Sequence, residues 1–388
     1  MARSGPAHPA GARYREIGGA LLVLAVAATT TGWAGVSIGT SIGHPTDLSR
    51  EVSVNLLAKP ATNSPNWTTL SPTSSPQACQ GRSMAYDPAV RGVILWDSCG
   101  TRPSTWEFQR GNWTKLSTAR QPDVGGLATM AYDVKDRYLV LFGGYRGTVT
   151  TNYTMTTTTA STWKFQNGSW SNISPVVSPP ARGEAAMTYD TRDGYIVLFG
   201  GAFYYSNSTG IPATIYRPLN DTWTFSNGSW TNITRNSARA PLPLLPPAAS
   251  MSYDAKDRYV LLLGVAAKPN RSSHTDAQTW SFVAGHWREL RTTSVPAAYV
   301  GAGVAYDPIL KYVVLTGGSS PRYSSQTCSG GFCDQTWTYS KDTWVQLPGA
   351  PGPGQEYPFI AYDGLDHYVV SFGGYSRGGL SSATLVFQ

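Results

Sequence analysis

Six tyrosine–aspartate pairs recur along the chain: Tyr86-Asp87, Tyr132-Asp133, Tyr189-Asp190, Tyr253-Asp254, Tyr306-Asp307 and Tyr362-Asp363. A phenol beside a carboxyl could serve acid–base chemistry. Each pair, however, stands in one local context, MTYDTRDGYIVLFGG at 187–201, and the pairs follow at spacings of 46, 57, 64, 53 and 56 residues. A single active site does not need six copies of one carboxyl. The structural explanation is stronger: an aspartate side chain accepts a backbone N–H two residues on and closes a tight turn. Other local chemistry is sparse. Beyond residue 44 the only histidines are His274, His286 and His367, and no Gly-x-Ser-x-Gly or phosphate-binding loop occurs there. The expectation is therefore no metal and no cofactor.

The elements that carry these pairs repeat with them. A short strand ends at each Tyr-Asp. A second strand follows, such as Tyr195-Ile196-Val197-Leu198-Phe199, whose unbroken apolar run implies burial on both faces. Gly200-Gly201 ends it, where glycine permits positive φ and close approach. Then Trp106, Trp163, Trp223, Trp280 and Trp337 are each followed seven residues later by Trp113, Trp170, Trp230, Trp287 and Trp344. Asn167-Gly168 and Asn227-Gly228 between them are strong two-residue hairpin signals. One repeat is thus a four-stranded antiparallel meander with two apolar faces. Packing repeats around an axis covers both.

The last repeat stops at its third strand, Ala383-Thr384-Leu385-Val386-Phe387. Near the N-terminus, Asn66-Trp67-Thr68-Thr69-Leu70 matches the fourth strand Asn112-Trp113-Thr114-Lys115-Leu116. The expected fold is all-β: a six-bladed propeller of four-stranded blades over residues 63–388, closed by an N-terminal strand that completes the last blade. From its Gly-Gly ends, spaced aromatics and period, this region resembles a kelch-type β-propeller of the galactose-oxidase-like class. Two repeats depart from the pattern, with Asp97-Ser98 and Gly264-Val265 in place of Gly-Gly, and the aromatic pair is mostly Trp-Trp instead of Tyr-Trp. Copper sites of that class use two histidines and a Cys-linked tyrosine, which this pattern does not supply.

Ahead of the repeats, residues 1–16 form a short basic segment with Arg3, Arg13 and Arg15, and 17–43 carry no charge. The latter reads as a hydrophobic helix, either a single-pass anchor with the C-terminal domain outside or, if 1–27 are cleaved, a signal peptide. Residues 44–62 read as a linker. Ten of thirteen asparagines begin Asn-x-Ser/Thr sequons: Asn66, Asn112, Asn152, Asn167, Asn172, Asn207, Asn220, Asn227, Asn232 and Asn270. This enrichment points to an extracellular glycoprotein. The four cysteines fit that compartment, with Cys79 pairing Cys99 and Cys328 pairing Cys333. The net charge of +7 comes without a basic run, which argues against a nucleic-acid partner.

The connections between second and third strands vary most in length and share one rim with the fourth-to-first connections. Tyr145, Arg146, Tyr153, Phe203, Tyr204, Tyr205, Tyr216, Arg322, Tyr323, Tyr375 and Arg377 stand in or beside them, and Arg82 and Arg182 precede first strands. Tyrosine and arginine give large contact area with polar tips. The leading expectation is a non-enzymatic, monomeric recognition or adhesion module for an extracellular glycan or protein, with the missing catalytic motifs weighing against an enzyme. One alternative is a carbohydrate-active enzyme at the mouth of the ring, with acids drawn from Glu184, Glu356, Asp123 or Asp276. Another is a passive surface scaffold.

Overall fold

The structure is a computed structural model of the chain, and it describes residues 16–17, 20–21, 65–79, 83–99, 103–149, 154–207, 213–236, 241, 249–265, 277–296, 300–319, 328 and 331–388. Two compact units divide it, Met1–Ser64 and Pro65–Gln388. In the first, Glu16–Ile17 pairs antiparallel with Ala20–Leu21. These residues therefore differ from the helix expected from residue 17. The sequence between them is Gly18-Gly19, a hairpin signal and a poor helix former. The rest of 17–43 lies outside the described residues. Among the described residues, no helix is long and apolar enough to cross a membrane.

The second unit is all-β. Six four-stranded antiparallel sheets follow the meander order expected from the repeat. The first sheet, for example, pairs Ser83–Asp87, Gly92–Asp97, Ser104–Gln109 and Asn112–Leu116 in sequence. The sixth joins Phe359–Asp363, Tyr368–Phe372 and Thr384–Phe387 to Trp67–Leu70, with Trp67 opposite Phe387 and Leu70 opposite Thr384. The first strand of every sheet neighbours those of the sheets before and after it, and the sixth returns to the first. The second strands sit between two such sheets, which explains their unbroken apolar runs. In Tyr138–Phe142, Leu139 and Leu141 pack with Ile94 and Trp96 of the sheet before, while Tyr138, Val140 and Phe142 pack with Ile196 and Leu198 of the sheet after. The core is therefore a set of inter-sheet seams rather than one central mass.

Each Tyr-Asp aspartate has the structural role its repetition implies. Asp133 Oδ1 accepts the backbone N–H of Lys135 at 3.0 Å and of Asp136 at 3.1 Å. Asp190 and Asp254 do the same with Arg192 and Asp193, and with Lys256 and Asp257. All six aspartates are buried. The turn then places a left-handed residue four positions on, at Arg91, Arg137, Gly194, Arg258, Lys311 and His367. The third-to-fourth turns carry positive φ at both central residues, as in Asn167 (52°) and Gly168 (74°), the geometry of a type I′ hairpin. The Gly-Gly ends need their glycines twice over. Gly201 has φ 85°, and a Cβ there would stand 2.5 Å from the Gly183 carbonyl oxygen of the segment leading into the same sheet.

The fourth-strand tryptophans bind the sheets to one another. The indole N–H of Trp113 donates to Thr384 Oγ1 (3.0 Å), Trp170 to Thr105 (2.8 Å) and Trp230 to Thr162 (3.0 Å). Trp287 donates to Thr222 (2.9 Å), Trp344 to Thr279 (3.0 Å) and Trp67 to Thr336 (2.8 Å). Every acceptor lies on the third strand of the preceding sheet, so the six bonds run once around the set. Each indole also packs on an aromatic ring of its own sheet, as Trp230 does on Phe225 at 4.9 Å. Thr162→Val keeps the shape but orphans the Trp230 N–H. A loss of about 1–3 kcal/mol is expected, measured by urea unfolding.

The buried aspartates also set a pH dependence. Burial pushes the Asp190 and Asp254 carboxyls up to about 6, against the pull of the turn N–H groups. Oδ2 of each is buried without a hydrogen-bond partner. A raised folded pKa means that the folded state binds more protons than the unfolded state. The contribution is fully present below the ordinary value of 3.8 and is lost as pH rises through about 6. The melting temperature should therefore fall between roughly pH 4 and pH 7. Asp190→Asn with Asp254→Asn should flatten that slope while preserving the turns, and a thermal-melt series across this range checks it.

Candidate functional site

The expected loops of the second and third repeats are strands. Tyr145–Val149, Thr154–Thr158, Ala202–Asn207 and Ala213–Pro218 form a further four-stranded antiparallel sheet in that order. Thr157 lies opposite Tyr205, which joins the two repeats. Threonine and tyrosine favour extended backbone, but a threonine run offers no alternation of polar and apolar residues to mark a strand. The register sorts the candidates by face. Tyr204 pairs with Tyr216, whereas Phe203 pairs with Arg217 and Tyr205 with Ile215. Alternation puts Tyr204 and Tyr216 on one face, and Phe203, Tyr205 and Arg217 on the other.

The starts of all six first strands line a cavity of about 220 Å³, and the Tyr204 face connects to it through Tyr145 and Glu184. Tyr145 packs across Gly183, where a Cβ would approach its ring to 2.7 Å. Its hydroxyl donates to Glu184 Oε1 at 3.2 Å, and its ring meets Tyr204 edge-on with centroids 5.4 Å apart. Glu184 lines the cavity, and its Oε2 is buried without a hydrogen-bond partner. Tyr357 lies over Gly301 in the same manner, a Cβ there falling 2.8 Å from its ring.

The mouth backbone is strained at equivalent positions. Leu127, Glu184, Gly301 and Tyr357 each stand two residues before a first strand, with φ of 62°, 61°, 67° and 56°. The Glu184 N–H donates to the Leu127 carbonyl at 2.9 Å, and the Tyr357 N–H to the Gly301 carbonyl at 2.7 Å. The left-handed region suits Gly301 and costs about 1–3 kcal/mol at a residue with a side chain. That cost aims Glu184 and Tyr357 from their sheets toward the same opening.

Burial pushes the Glu184 carboxyl above the usual range, with the Tyr145 hydroxyl bond pulling the other way. The Tyr145 and Tyr216 phenols are raised by burial and then by the charge of Glu184. Tyr357 is raised by burial, then Glu356, then Glu184. Four tyrosines and one carboxyl thus form an electrostatic neighbourhood. It can donate and accept hydrogen bonds, and it can hold or pass a proton.

The other expected residues distribute differently. Arg82, Tyr153, Arg322, Tyr323 and Asp276 lie outside the described residues. Arg146 pairs with Asp123 at 3.4 Å, both well exposed. Tyr375 is exposed and meets Phe332 edge-on at 5.8 Å, and Arg377 is exposed nearby in sequence. Arg182 is corrected from a binding candidate to a structural clasp. Its side chain is 0% exposed. It forks onto Asp221 at 2.5 and 2.7 Å and donates to the Gly200 and Pro180 carbonyls at 2.9 Å each. Four of its five donors are used in these bonds, and at 0% exposure it offers no surface to a ligand. Cys79–Cys99 and Cys328–Cys333 are disulfides and point to an extracellular or secreted protein. The equivalence of Glu184 and Tyr357 to Gly301 was within reach of an alignment of the repeats. The pairing of Tyr145 with Glu184 was not, because it crosses between two repeats.

No protein-family model matches the chain, and no curated protein matches it. Solved structures do. The structure of YjhT is 14% identical with a TM-score of 0.57, covering 81% of this chain and 96% of its own. A luciferin-regenerating enzyme is 9% identical with a TM-score of 0.47, covering 84% and 95%. The soluble aldose sugar dehydrogenase of Escherichia coli is 10% identical with a TM-score of 0.45, covering 84% and 99%. At such identities the likeness to YjhT is one of fold, and the fold is propeller-like. The expectation that weighed against an enzyme is corrected: it rested on missing local motifs, and in a propeller-like fold a site is assembled from several sheets, so such motifs are not required.

The clasp generates its own test. Arg182→Met leaves Asp221 without its cation and should cost about 3–5 kcal/mol. Arg182→Met with Asp221→Asn should recover part of that loss. Chemical denaturation of the two variants beside the parent reads both.

Proposed function

We propose that the chain is a six-bladed kelch-type propeller whose mouth binds and acts on a carbohydrate, with Glu184 and Tyr145 as the acid–base pair. The carrying observation is the Glu184 carboxyl: it lines the central cavity, one oxygen is bonded to Tyr145 and the other has no partner. A carboxyl that burial holds above its usual range can give a proton to a substrate oxygen and take it back. Tyrosine faces suit the C–H faces of a sugar ring, and their hydroxyls suit its oxygens. Glu184 is the one acidic residue among the described residues that line the cavity. The reading is therefore proton transfer at a sugar oxygen, not displacement between two facing carboxylates. The return of the sixth first strand to the first supports six blades, and the Gly-Gly ends with spaced aromatics support the kelch type.

The setting proposed for this activity is the cell exterior, with residues 17–43 as tether or leader. Sugars attached at the sequons fit it. Asn66, Asn112, Asn167, Asn172, Asn220, Asn227 and Asn232 are all exposed. A screen of mono- and oligosaccharides against the protein, followed by Glu184→Gln and Tyr145→Phe, tests the site. Glu184→Gln should retain binding of neutral sugars and lower turnover by about 10²- to 10⁴-fold. Turnover unchanged in Glu184→Gln would end the proposal.

A further inference from the structure

We infer that the sugar taken at the mouth carries a cationic amino group, held against Glu184 within a cage of Tyr145, Tyr204, Tyr216 and Tyr357. This rests on the mouth being a carbohydrate site and names the class of sugar. Three observations converge on it. The Glu184 side chain faces the cavity with Oε2 buried and unpartnered. No lysine or arginine among the described residues offsets its charge: the influences on it are burial and the Tyr145 hydroxyl. Of the arginines in the local sheet, Arg217 alternates to the face opposite Tyr216, and Arg146 pairs with Asp123. A buried carboxyl that the fold leaves without a cation is a place for a ligand to supply one.

The second observation is aromatic. Tyr145 and Tyr204 meet edge-on at 5.4 Å, and Tyr204 stands across the strand pair from Tyr216. Tyr357 comes from another sheet and shares electrostatic contact with both Glu184 and Tyr216. Several π faces around one carboxyl attract an ammonium more strongly than a neutral hydroxyl. The third observation is access. Tyr216 is 45% exposed, so the cage is open at the solvent side. The cage is also held in place, because Tyr145 and Tyr357 rest on glycines and Glu184 is fixed by its left-handed backbone.

An ammonium beside Glu184 favours the ionised carboxylate, the form that takes a proton from a sugar hydroxyl. The experiment is isothermal titration calorimetry of the protein with glucosamine, N-acetylglucosamine and glucose at pH 6.5. These sugars share a skeleton and differ in charge. The expected result is that glucosamine binds at least tenfold tighter than either neutral sugar. Glu184→Gln should abolish the preference, and Tyr216→Ala should reduce it. Equal binding of the three sugars, or a preference that survives Glu184→Gln, overturns the inference; if neutral sugars still bind at the mouth, the site itself stands. Failure of all three to bind also overturns it, and the site is then judged by the wider saccharide screen.

Discussion

A buried indole must find an acceptor, and in this chain the acceptor always belongs to the neighbouring sheet. Six tryptophans on the outer strands donate to six threonines on the third strands of the preceding sheets. Because each threonine is buried, no water competes for the bond. The same indoles fill the seams with aromatic surface, so one residue per sheet supplies area and direction together. The central cavity depends on this arrangement. Its walls are the starts of first strands, and they hold their places only because the seams behind them are closed.

The mouth shows what that rigidity permits. Left-handed backbone at Glu184 and Tyr357 is tolerated because the flanking sheets leave those residues no alternative. Glycine occupies the same position at Gly301 without strain. The comparison separates what the fold requires there, a turn, from what two sheets add to it, an acid and a phenol. The added sheet built from Tyr145–Val149 and its partners then brings Tyr145 down to the acid.

Much of the fold was legible because its rules are local. Tyr-Asp turns, Asn-Gly hairpins and the seven-residue tryptophan spacing all act within a few residues, and each predicted its element. The match between Asn66–Leu70 and Asn112–Leu116 also predicted the closing strand, since both sequences meet the same environment. The threonine acceptors were not visible: Thr105, Thr162 and Thr222 look like ordinary strand residues until the next sheet is set beside them. The same limit hid Arg182, whose partner Asp221 lies 39 residues on. The site was half legible. Glu184 and Tyr204 could be named as candidates, but their meeting is a product of packing, and the threonine run concealed the sheet that brings Tyr145 to Glu184.

The closing strand gives the chain a clock. Trp67 leaves the ribosome early, yet Thr336, which accepts its indole hydrogen, follows 269 residues later. At ordinary elongation rates that interval is on the order of ten seconds to a minute. Throughout it the Trp67–Leu70 segment has no partner strand, because the strand that receives it, Thr384–Phe387, comes later still. Closure then fixes the backbone at both ends of the seam, since Asn66 exchanges hydrogen bonds with Gln388 in the finished ring. The first strand of the ring to be made is thus the last to be seated.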